Sequence, residues 1–154
     1  MENPKDFSNL SQREIVNIKS HDHDLTVYLF SVENPRGFFI STHGMRSLSD
    51  GEGSEYLLFL VEDLFEALAL DLTASGRSGG DGMVFLEQSC YDILFAEKFL
   101  KIQTEFNNLS LGLIGHSWGA YGCLSSLQDN QKLKWVISFS TFNDPLTYMV
   151  ETAK

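Results

Sequence analysis

With 154 residues, 43% of them hydrophobic and only three prolines, the chain fits one globular domain and is neither disordered nor collagen-like. Twenty-one acidic against eleven basic residues give a net charge of −10, a surface field that repels phosphate backbones, so nucleic acid is excluded as a partner. The start lacks the basic and apolar regions of a secretory signal, and the longest apolar run, Tyr56 to Val61, is too short to span a bilayer, so a cytoplasmic location is expected.

In chain order, Arg13 to Lys19 and Leu25 to Val32 read as strands flanking the polar quartet His21-Asp22-His23-Asp24, which predicts an antiparallel hairpin. The runs Gly37 to Thr42, Ala67 to Leu72, Leu109 to Ile114 and Leu133 to Phe139 are short and mostly apolar, the pattern of parallel strands covered on both faces. Helices are expected over Ser54 to Leu64 and Trp118 to Leu127, and Tyr91, Phe95, Phe99, Ile102 and Phe106 recur at helical spacing as one apolar stripe. Strand and helix in alternation predict a mostly parallel sheet with helices on both faces, whose ligands bind beyond the carboxyl ends of the strands.

Three loops fall at those ends. Gly115-His116-Ser117-Trp118-Gly119 lies between an apolar strand and a helical segment and matches Gly-x-Ser-x-Gly. Alone, the pentapeptide reads equally as an ordinary glycine-rich turn or as a strained elbow that lifts Ser117 Oγ into a cleft, with the Trp118 N–H at the positive helix end facing a forming oxyanion. Thr42-His43-Gly44-Met45 follows the first parallel strand; there the Met45 N–H is the second expected oxyanion donor, and His43 and Gly44 are expected to bind substrate. Asp71 to Gly80 follows the next strand, and without a Gly-Lys-Ser/Thr or a Gly-x-Gly-x-x-Gly its glycines do not make a phosphate cradle.

The three segments together resemble the α/β-hydrolase superfamily, in particular its monoglyceride-lipase and serine-aminopeptidase-like branch, over roughly Val32 to Pro145. The resemblance implies a single α/β-hydrolase-like domain with Ser117 as nucleophile, Met45 and Trp118 as oxyanion donors, and a cleft-shaping role for the Asp71 to Gly80 loop. It also implies a chain that stops after the sixth strand of a sheet that usually has eight.

The order in this superfamily is Ser, then an acid, then His, yet no histidine follows Ser117, and a serine without a base is a poor nucleophile. His21 and His23 read as solvated turn residues away from the elbow, His116 as pointing away from it, and His43 as support for the oxyanion loop. Asp144, before Pro145, reads either as a turn-former or as the triad acid. Cys90 and Cys123 are far apart and outside any metal-ligand spacing, so neither metal nor organic cofactor is implied.

Three readings of function follow: a serine hydrolase of esters, thioesters or peptides, incomplete without a base; a non-catalytic binding module; or an acyltransferase. All take a small acyl ligand. The strand Leu133 to Phe139, with nothing beside it, is an expected edge for self-association.

Overall fold

The computed structural model describes residues 13–49, 65–82, 85–103, 106, 108–129 and 133–142. Six strands form one sheet: β1 (Arg13–Lys19), β2 (Asp24–Phe30), β3 (Phe38–Thr42), β4 (Glu66–Leu70), β5 (Leu111–His116) and β6 (Leu133–Phe139), in the order β1-β2-β4-β3-β5-β6. β1 and β2 make the expected antiparallel hairpin, β2 runs antiparallel to β4, and β4, β3, β5 and β6 are mutually parallel. Asp144 and the segment Ser54 to Leu64 lie outside the described residues.

Alternation along the strands sorts the core. Leu25, Val27, Phe38, Ile40, Leu68, Leu70 and Leu113 enter one cluster, while Tyr28, Phe30, Ala67 and Ala69 face the other way, and all are buried. Both faces are therefore covered, as near-continuous apolar strands require. On the second face Phe39 stacks on Trp135 of β6, ring centroids 5.8 Å apart, and Phe65 meets both edge-on.

Two helices pack together on the first face: α1 (Gln88–Ile102) and α2 (Trp118–Ser125), the latter running on into a 3₁₀ turn, Ser126–Asp129. The aromatic stripe is not the buried face of α1. Tyr91 is 52% and Ile102 73% exposed, Phe95 and Phe99 are partly buried, and Phe106 lies beyond the helix, against Phe38. The inward face is Ser89, Asp92, Ile93, Ala96, Glu97 and Leu100. The reason is a close helix crossing: a methyl on Gly122 of α2 would sit 2.6 Å from Ser89 Oγ, so α1 turns its small and polar line toward α2.

Buried polar groups then tie the loops at the carboxyl edge. Asp71, fully buried, accepts hydrogen bonds from Tyr28 Oη (3.0 Å), Ser49 N (3.1 Å) and Arg77 N (3.0 Å). Gly76 sits at φ 55°, and any Cβ there would fall inside that carboxylate, which gives the Asp-x-x-x-x-Gly spacing a physical cause. Ser78 Oγ donates to Asp71 O and accepts from Thr26 N. Asp92 of α1 accepts from Thr73 N (2.7 Å), Thr73 Oγ1 (2.8 Å) and Gln88 Nε2 (3.0 Å); burial raises its pKa, partly opposed by these bonds.

His23 is not a solvated turn residue. Its ring bridges Asp22 (2.7 Å) and Thr73 Oγ1 (2.8 Å), clamping the opening hairpin to the loop after β4.

His43, 2% exposed, accepts from Leu72 N at Nε2 (3.1 Å), so Nδ1 carries the proton and donates to Gly44 O (2.7 Å). Burial holds its pKa below the usual histidine value of 6.5, against smaller raising effects of the Gly44 carbonyl, Asp71 and Asp92.

Two outcomes follow. Gly76→Ala, driving a methyl into the Asp71 carboxylate, will lower stability in urea melts by about 2–3 kcal/mol. Because the folded state binds the His43 proton less tightly than the unfolded state does, stability will fall as pH drops from about 7 to 5. His43→Gln, whose amide can keep one donor and one acceptor, will flatten that limb relative to wild type; identical pH profiles would contradict a buried neutral ring.

Candidate active site

Ser117 lies between β5 and α2 at φ 51°, ψ −111°, a region where non-glycine residues are strained. Three backbone contacts hold it there. Ser117 N donates to Phe139 O at the end of β6 (2.8 Å), Tyr121 N donates to Ser117 O (3.0 Å), and Gly119 N donates to His43 O (3.1 Å). A methyl on Gly119 would lie 2.6–2.7 Å from Thr42 Oγ1 and the Thr42 and His43 carbonyls, and one on Gly115 would meet the Gly119 backbone. The two motif glycines thus let the start of α2 press directly onto the end of β3.

That contact brings the expected donors to the serine. A methyl on Gly44 would sit 3.3 Å from Ser117 Cβ, so the Gly44–Met45 turn abuts Ser117. Among the described residues, neither the Met45 nor the Trp118 backbone N–H is given to an acceptor, and Trp118 N opens α2, the positive end of its dipole. The Trp118 indole is buried and anchored by Nε1 donating to Leu86 O (2.7 Å).

Met45 and Trp118 line a cleft of about 360 Å³, together with Arg46, Ser47, Leu48, Thr73, Ala74, Ser75, Gly76 and Gly82. The Asp71–Gly80 loop therefore contributes wall. Two of the lining residues, Arg46 (φ 63°) and Ala74 (φ 58°), are non-glycine residues in the left-handed region; strain of this kind gathers at ligand sites.

Each histidine has a place. His43 does not offer a free nitrogen: both belong to the backbone of Gly44 and Leu72. His116 is exposed, and its Nδ1 would lie 2.8 Å from a Gly44 methyl, so the ring rests beside the Gly44 turn. His21 meets Phe95 edge-on. Among the described residues, no histidine hydrogen-bonds the Ser117 hydroxyl. Cys123 is no alternative nucleophile: it is buried beside Thr42, and burial pushes its thiol pKa up to about 12. No cluster of three metal-ligating side chains occurs among the described residues, and none of their helices is long and apolar enough to cross a membrane.

Sequence reasoning missed Arg46 and the His23–Thr73 bridge. Arg46 has a local signal, its position directly after the expected donor Met45. The bridge spans fifty residues and leaves none.

No protein-family model and no curated protein matches the sequence. Solved structures do. An esterase from Pyrococcus furiosus superposes with a TM-score of 0.78 at 24% identity, over 87% of this chain and 52% of its own. An α/β hydrolase from a Penicillium species gives 0.75 at 18% identity, over 92% and 52%. A dienelactone hydrolase from Anabaena variabilis gives 0.71 at 16% identity, over 82% and 62%. The chain spans about half to two thirds of the length of these structures. With a β1-β2-β4-β3-β5-β6 sheet, an elbow after β5 and these neighbours, the chain has the α/β-hydrolase fold, carried by six strands.

Proposed function

We propose that the chain is a serine hydrolase acting on an ester, thioester or peptide bond through an acyl-enzyme on Ser117. One observation carries this reading: a serine on a strained strand-to-helix turn, directly before Trp118 and against the Gly44–Met45 turn, where Met45 and Trp118 both line one cleft and their amides are unspent among the described residues. In the acylation step Ser117 Oγ attacks the carbonyl carbon and its proton passes to a base. The two amides receive the negative charge on the carbonyl oxygen, and the leaving group departs with that proton. Water then releases the acid; another acceptor in its place makes the same site an acyltransferase. Two of the structural neighbours, an esterase and a dienelactone hydrolase, accord with ester chemistry. The order of the His43-Gly44, Asp71-to-Gly76 and elbow motifs favours the monoglyceride-lipase and serine-aminopeptidase-like branch. Asp144 stays the proposed acid, and the cytoplasm the proposed location.

The described histidines leave the base unassigned, and this favours a second reading, a binding module that keeps the cleft without the chemistry. A fluorophosphonate probe separates the two. The enzyme reading expects one adduct on Ser117, absent in Ser117→Ala; a folded chain that stays unlabelled supports the module. Ser117→Gly, relieving the strained φ,ψ, is expected to raise stability by about 1 kcal/mol while abolishing labelling. Unchanged or reduced stability would remove strain from the argument.

A second copy of the chain is the proposed partner at β6. Among the described residues this strand pairs only with β5, and it exposes Trp135 (41%) and Phe139 (45%). Sedimentation should show concentration-dependent dimers that Val136→Pro suppresses; a wild-type monomer at high concentration would refute the pairing.

A further inference from the structure

Building on the hydrolase reading, we infer that Arg46 reads an anionic group on the substrate, so that the cleft selects esters whose short acyl chain ends in a carboxylate. Arg46 is the one charged side chain among the described residues that line the cleft. The rest of the wall is apolar at Met45, Leu48 and Trp118, small at Ala74, Gly76 and Gly82, and hydroxylic at Ser47, Thr73 and Ser75. Such a wall suits an aliphatic body with one charged end.

The backbone at Arg46 points the same way. Ser47 N donates to Gly44 O (3.1 Å), closing a four-residue turn whose third residue is Arg46 at φ 63°. Glycine or asparagine takes that position with little strain, whereas an arginine there is held against its preference. Among the described residues no ion pair or hydrogen bond to the Arg46 guanidinium offsets this. A charged residue kept at a strained position, unpaired among the described residues and lining a cleft, is explained by what enters the cleft. A guanidinium matches a carboxylate with two parallel hydrogen bonds.

Position sets the length of the ligand. Arg46 directly follows Met45, whose amide faces the reacting carbonyl in the reading above, so its guanidinium stays within one side-chain length of that amide and a short acyl chain suffices to reach it. The net charge of −10 opposes the approach of anions in general; a single cation on the cleft wall reverses that locally.

The test compares two esters of similar size, 4-nitrophenyl hemisuccinate and 4-nitrophenyl butyrate, with acylation of the full chain followed by intact mass. Wild type should be acylated by the anionic ester about tenfold faster. The ratio should collapse toward one in Arg46→Gln, be partly kept in Arg46→Lys, and shrink with added salt. A wild-type ratio at or below one, or a ratio unchanged in a folded Arg46→Gln variant, overturns the inference while acylation itself leaves the hydrolase reading standing. Acylation by neither ester, with no fluorophosphonate adduct, defeats the hydrolase reading instead. The anion site is then decided by titrating monomethyl succinate and methyl butyrate against the Trp118 indole N–H signal. A response to the acid alone that disappears in Arg46→Gln upholds the site, and equal or absent responses overturn it.

Discussion

The site depends on one close approach between backbones. The first turn of α2 lies so near the end of β3 that no side chain fits between Gly119 and the carbonyls of Thr42 and His43, and the Gly119 N–H bonds directly to His43 O. This contact fixes the separation between the Ser117 turn and the Gly44–Met45 turn. Because both partners are main chain, the geometry is set by strand register and helix position, and side-chain rotamers have little part in it. Ser117 bears the strain of that junction at φ 51°, and the strand-end loops around it are secured in turn by the buried groups Asp71, Asp92 and His43.

These buried groups explain how a small acidic chain keeps three loops in register. Asp71 gathers donors from β2, from the loop after β3 and from its own loop. Asp92 reaches from α1 to Thr73, and His23 reaches Thr73 from the opposite side. The hairpin, the crossover helix and the cleft wall therefore meet at one threonine. A wall built this way is tied from behind at Asp71, Asp92 and Thr73, and its cleft face combines Met45, Leu48 and Trp118 with small and hydroxylic residues and the single charge of Arg46.

Much of this was legible in the sequence. β1 and β6 have the bounds that their apolar patterning suggests, and the other four strands differ by one or two residues at their ends. The elbow and the glycine-bearing turns were visible because backbone constraints restrict residue type locally. The inward face of α1 was not legible. Periodicity counts apolar residues, but the helix crossing is governed by how closely Ser89 can approach Gly122, so the phenylalanine stripe is displaced to the flank. The roles of His23 and Asp92 were hidden for a related reason: a polar residue that satisfies a distant loop has the same local appearance as one in water. Arg46 was passed over because a turn position tells nothing of its φ until the chain is traced.

The bond from Ser117 N to Phe139 O joins the strained Ser117 turn to the last residue of the outermost described strand. Strand ends at a sheet margin open more readily than central ones, and each opening here would release the Ser117 amide. The backbone of the Ser117 turn thus becomes a gauge of how well that margin is zipped, and any partner strand that closes it would stiffen the turn from a distance without touching the cleft.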